Sequence, residues 1–108
     1  MSETTTSKIK TLTTSTFDSE IGNGDTYLVD FWAPWCGPCM QQLPILEQFA
    51  DSEPKGVTVA KVNITDEPGI AEKLGIRSIP TMIVFRDGEE VLRHTGLAAP
   101  AQLAKLVE

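Results

Sequence analysis

Apolar residues along this chain fall into two patterns, short runs rich in β-branched and aromatic side chains, and longer stretches where they recur every three or four positions. The runs "TYLVDFW" (Thr26 to Trp32) and "GVTVAKVNI" (Gly56 to Ile64) are bounded by turn residues and predict strands. Between them the spacing over 36–51 predicts a helix of about four turns. A strand, helix and strand of these lengths imply a parallel pair joined by a right-handed crossover. "TMIVF" (Thr81 to Phe85) and "EVLRHT" (Glu90 to Thr95) flank Asp87-Gly88, a dipeptide that favours the positive backbone angles of a hairpin turn, so these two strands should be antiparallel. An early strand is expected near Lys8 to Leu12 and a helix from about Ser15 to Ile21. A short helix from Glu67 to Leu74 would be closed by Gly75 as a left-handed cap. A last helix from Ala99 to Val107 would carry Pro100 in its first turn, where a missing N–H costs nothing. The sum is an α/β domain, a mixed sheet with helices on both faces, whose strand order the pattern leaves open.

The totals narrow what such a domain could do. At 108 residues the chain is long enough for one core and too short for two, with no internal repeat and no long linker. Residues 7–108 are expected to form the single domain and 1–6 a mobile tail. Formal net charge is −6, and the nine Lys and Arg residues are scattered, so a phosphate-tracking role on nucleic acid has no electrostatic basis. The start "MSETTTSKIK" is polar, and no window approaches the roughly 20 apolar residues of a membrane span. The expectation is a cytoplasmic protein with no membrane partner. In that reducing compartment a cysteine pair is more often catalytic or metal-binding than a structural staple.

Both cysteines lie in "WAPWCGPC" (residues 32–39). Two cysteines placed at random in this length would fall three apart roughly one time in fifty, so the spacing asks for a reason. As a staple the pair is poorly placed, because closing four residues restricts the unfolded chain by only ~2 kcal/mol, against ~3 for a loop of 15. A closed zinc site needs four ligands, and only His94 is available to join the thiols, from a strand far along the chain. His94 itself reads as an edge-strand surface residue.

Redox chemistry uses what is present. A helix beginning at Cys36 would put its sulfur among unpaired N–H groups that stabilise a thiolate, the attacking species. Cys39 would share a helical stripe with Leu43, Leu46 and Ala50, turn toward the core and attack second, because burial disfavours its thiolate. Gly37 and Pro38 between them carry no charge, which places the couple toward the reducing end. Asp30 shares a strand face with Leu28 and Trp32 while Val29 and Phe31 point the other way. Both faces therefore look buried, and the Asp30 pKa should be raised. The aromatic and apolar residues around Cys36 suit a protein surface better than a polar metabolite. Pro44, inside the second helix, should remove one hydrogen bond and produce a kink at a local cost of about 3 kcal/mol. Pro80 reads only as a proline at a strand entrance, where most bonds are trans.

The stretches "VDFWAPWCGPC", "VAKVN", "GIRSIPT" and the glycine of "TGLA", in this order and spacing, resemble the thioredoxin family over essentially the whole chain. The resemblance implies the thioredoxin fold, a five-stranded mixed sheet between four helices. It implies a protein dithiol–disulfide oxidoreductase that reduces disulfides in target proteins through a reversible Cys36–Cys39 disulfide. By it, Asp30 becomes the candidate general base for Cys39, Lys61 the lysine that pairs near it, and Trp32 core support. Pro80 would be cis and face the cysteines, and Ile79 and Pro80 would dock substrate together with Trp35, Gly37, Pro38, Gly96 and Leu97. No cofactor would be bound. Electrons would come from NADPH through a flavoprotein partner, thioredoxin reductase, to a monomer. Two departures from the family pattern bear on partner choice and potential: Met40 stands where many relatives carry Lys or Arg, and Ser78 where a glycine is common. Two rivals remain open, an oxidase or isomerase of an oxidising compartment and a binding module that holds partners without turnover.

Overall fold

Along the chain run β1 (Lys10–Thr11), α1 (Phe17–Ile21), β2 (Thr26–Trp32), α2 (Gly37–Asp51), β3 (Val57–Asn63), α3 (Pro68–Leu74), β4 (Thr81–Arg86), β5 (Glu89–Thr95) and α4 (Pro100–Leu106). The computed structural model describes residues 8–52 and 54–108, and the tail anticipated at 1–6 lies outside them. The strand order left open by the sequence is β1-β3-β2-β4-β5. β2 is central, parallel to β3 on one side and antiparallel to β4 on the other, with Asp30 in register with Lys61 and Met82. The β4–β5 hairpin turns on Asp87 and Gly88 at φ 53° and 82°, both positive as the two-residue turn requires. Gly75 caps α3 in the left-handed region at φ 68°.

The elements match their sequence patterns to within one residue at each end, except β1 and α1, which each start two residues late. β1 keeps only two paired residues of the five expected, at the sheet edge beside β3. Its neighbours Ile9 and Leu12 are nonetheless buried. α1 begins at Phe17 rather than Ser15, because hydroxyls capture the backbone first. The Thr13 N–H donates to Thr16 Oγ1 at 3.0 Å, while the Thr16 and Phe17 N–H groups donate to the Thr13 carbonyl at 3.1 and 2.9 Å. α2 runs through Pro44 without a break in the helix.

The alternation of β2 splits the interior in two. Val29 and Phe31 pack with Phe17 and Ile21 of α1 and Ile70 of α3 on one face. On the other, Leu28 packs with Leu46 and Ala50 of α2 and Leu103 of α4, joined by Val59, Met82 and Val84 from the neighbouring strands. Helices thus cover both faces of a mixed five-stranded sheet, the architecture expected. Leu46 is fully buried at the centre of the second cluster and holds α2 on the sheet. Leu46→Ala is predicted to cost about 3 kcal/mol, seen as a lower urea midpoint with an unchanged slope.

Candidate active site

β2 ends at Trp32, and the chain turns within four residues into α2, so the start of that helix is carried to the end of the central strand. Cys36 is its N-cap, with extended backbone angles of −98° and 110°. The Cys36 carbonyl accepts the Met40 N–H at 3.1 Å, and its sulfur accepts the Cys39 N–H at 3.2 Å. A sulfur here occupies the place where a cap oxygen would satisfy a free helix donor. Pro38 falls within the first two helical positions, where it forfeits no intrahelical bond. Gly37 adopts no special backbone angle, and a Cβ added to it would meet nothing within 4 Å.

The two sulfurs are joined as a disulfide, with Cα atoms 5.2 Å apart. They are unequal in access: Cys36 keeps 7% exposure and Cys39 none. The buried stripe of α2 is Cys39, Gln42, Leu46 and Ala50. This corrects the expected stripe at one position, since Leu43 is only half-buried and the polar Gln42 takes the inner place. Among the described residues no group of three or more His, Cys, Asp or Glu side chains could hold a metal.

Asp30 lies on the α2 side of β2, and both of its carboxylate oxygens are buried without a hydrogen-bond partner. Burial pushes its carboxyl from the ordinary 3.8 up to about 7, with the charge of Lys61 acting in the opposite direction. Lys61 makes no hydrogen bond to that carboxylate. Its ammonium rests over the Trp32 ring, 5.5 Å from the centroid, and reaches Asp30 only through its field. Trp32 packs against the cysteine cluster, and its indole N–H is also buried without a partner.

Beyond α2, one further segment reaches the sulfurs, and a second is tied to it. The Ile79–Pro80 bond is cis, where the sequence by itself favoured trans, and the Ile79 carbonyl oxygen lies 3.8 Å from Cys36 Sγ. The Pro80 carbonyl accepts the Gly96 N–H at 2.8 Å, which sets the loop after β5 beside it. Gly96 has φ 98°, a backbone region closed to most side chains. Leu97 and Trp35 present large apolar surface to solvent, Trp35 being 71% exposed, and Met40 adds to it from the first turn of α2. His94 is on the edge strand as expected but is half-buried, with Nε2 3.1 Å from the Leu97 carbonyl.

Two contacts here had no signal that a search for motifs would find. The Trp35 indole N–H donates to Thr65 Oγ1 at 3.1 Å, from a loop 30 residues away. Gln42 bonds the Ala98 backbone with both ends of its amide. Gln42 stands three positions after Cys39, and the helix phase that buries it differs by one residue from the one the apolar pattern predicts.

The Asp30 carboxyl makes stability depend on pH in a definite direction. Its folded pKa lies above its unfolded value, so the folded state holds the extra proton between pH about 4 and about 7. The stability contributed by the neutral acid is full below about 4 and lost as pH rises through about 7. Raising the pKa from 3.8 to about 7 sets on the order of 4 kcal/mol against the ionised folded form. Asp30→Ala is therefore predicted to be more stable than wild type at pH 8, by about 2 kcal/mol after a cavity cost, and to lose that advantage at pH 4. Urea denaturation across this range checks both ends.

The family model for Thioredoxin matches residues 8–108. The chain is 44% identical over 93 residues to the thioredoxin of Alicyclobacillus acidocaldarius subsp. acidocaldarius, covering 86% of this chain and 89% of that protein. It is 43% identical over 99 residues to the thioredoxin of Chlamydia caviae, covering 92% and 95%. With the thioredoxin of Chlorobaculum thiosulfatiphilum it shares 42% over 97 residues, covering 89% and 90%. With its paired cysteines at the head of a helix on a mixed five-stranded sheet, the chain belongs to the thioredoxin family, dithiol–disulfide oxidoreductases that act by thiol–disulfide exchange.

Proposed function

We propose that Cys36 is the attacking sulfur and Cys39 the resolving one in the reduction of protein disulfides. The observation that carries this order is the inequality of the two: Cys36 is at the rim with a backbone N–H directed at its sulfur, and Cys39 is wholly enclosed. In the dithiol form the Cys36 thiolate attacks one sulfur of a substrate disulfide, and the other leaves as a thiolate that takes up a proton. Cys39 then gives its proton to Asp30 and attacks Cys36 Sγ, expelling the first substrate sulfur. Two electrons pass to the substrate, and the Cys36–Cys39 disulfide is the oxidised product. Lys61 tunes Asp30 by its charge, and Trp32 supports the sulfurs from behind.

Substrate docks in an extended segment against Ile79 and Pro80, between Trp35 on one side and Gly96 and Leu97 on the other. Gly37 and Pro38 leave the approach to Cys36 free of bulk and charge. The dithiol is restored by electrons from NADPH through thioredoxin reductase. The working form is a cytoplasmic monomer made of a single domain, since a dithiol that gives up electrons needs a reducing compartment.

Reduction of insulin disulfides tests the assignment. Cys36→Ser and Cys39→Ser should both lose turnover, and a stable mixed disulfide with substrate should form only in Cys39→Ser. A trapped adduct in Cys36→Ser instead reverses the order. Asp30→Ala should keep the first step and slow release by about tenfold or more, so that the mixed disulfide accumulates in rapid-quench samples.

A further inference from the structure

We propose that Gln42 is a positioning residue for protein substrates, one that fixes the docking loop Gly96–Ala98 to the helix that carries the cysteines. This rests on the reading of Gly96 and Leu97 as docking residues given above. The Gln42 side chain is fully buried on α2, one turn beyond Cys39. Its Oε1 accepts the Ala98 N–H at 2.7 Å, and its Nε2 donates to the Ala98 carbonyl at 3.0 Å. The amide thus pairs with one residue of loop as a neighbouring strand would, and both groups of Ala98, itself fully buried, are satisfied by it. An apolar side chain would fill the same space but leave a buried N–H and C=O unpaired, so it is the path of the loop that calls for an amide.

The loop is held on the other side as well. The Gly96 N–H is tied to the Pro80 carbonyl, and the His94 ring reaches the Leu97 carbonyl with Nε2 while Nδ1 lies 3.4 Å from Gln102 Nε2. Between these anchors the Leu97 side chain is 44% exposed. Its backbone is fixed and its apolar surface is free, the state in which docking costs little ordering entropy. Because Gln42 and Cys36 belong to one helix, the distance from the sulfur to this rim is set by α2 itself. The hydrogen bonds of the Gln42 side chain go to Ala98 and none to a sulfur. Its loss should weaken capture of substrates wide enough to use the rim and leave exchange with a small disulfide alone.

The experiment compares the full-length wild type, Gln42→Leu and Gln42→Glu on insulin and on the small aromatic disulfide 5,5′-dithiobis(2-nitrobenzoate), with amide hydrogen exchange at Ala98 read in parallel. For Gln42→Leu the expected results are faster Ala98 exchange, a KM for insulin raised about fivefold, an unchanged kcat and an unchanged rate with the small disulfide. Gln42→Glu keeps an acceptor for the Ala98 N–H and should fall between, and it decides the matter with the same readouts if the leucine variant does not fold. An unchanged KM for insulin overturns the proposal, as does an equal loss on both substrates, which would make Gln42 merely structural. Failure of the wild type to reduce insulin would instead strike the docking reading beneath it.

Discussion

A single backbone N–H, that of Cys39, points at the Cys36 sulfur at the head of α2, and the chemistry of the pair depends on keeping it there. The remainder of the fold can be understood as the means of holding that helix end in place. Leu46 and Ala50 bury one side of α2 against Leu28, Val59 and Met82, while the short connection from Trp32 brings its first turn to the end of the central strand. The Ile79 carbonyl, just before β4, lies against the Cys36 sulfur, and Gly96, just after β5, is tied to the neighbouring Pro80 carbonyl. A thiolate stabilised by a helix terminus requires a terminus that does not fray, and these contacts supply it.

Behind the sulfurs the protein departs from its own packing rules. Whereas the buried polar groups of Tyr27, Gln42 and Thr81 are all hydrogen-bonded, both Asp30 oxygens and the Trp32 indole N–H are buried without protein partners. Such groups destabilise a domain, and they are tolerated where a task needs them. An acid held near neutrality exchanges its proton at working pH, whereas an ordinary surface aspartate stays ionised. Lys61 moderates the effect from over Trp32 without pairing, so Asp30 retains its unusual affinity for a proton.

The strands and helices were legible because burial imposes a period on the sequence. Thr26–Trp32 is an unbroken apolar run around one aspartate, Asp87-Gly88 is a turn signal with one solution, and Gly75 marks a helix end. What was not legible required knowledge of neighbours across the chain. The order of strands and the reach of Thr65 to Trp35 depend on segments tens of residues apart, while the ring of His94 is met by the loop just after its strand, at the Leu97 carbonyl. Local competition explains the shortened α1, whose threonine hydroxyls outbid the helix by a residue or two. Gln42 departs from its pattern for a subtler reason: a hydrophobic pattern favours Leu43 as the inner residue, but the Ala98 backbone needs an amide there. The cysteines and Asp30 stood out in sequence, since a close thiol pair and a charge within an apolar strand are both rare.

The account stands most directly on the acidity of the two sulfurs. In the folded, reduced protein, the rate of alkylation at each cysteine can be followed against pH by mass spectrometry of the separated peptides. Cys36 is expected to react first, with a pKa below the ordinary thiol value of about 8.5, and Cys39 only later and at higher pH. If Cys39 proves the more acidic and the faster to be alkylated, the seat of the thiolate has been placed on the wrong sulfur.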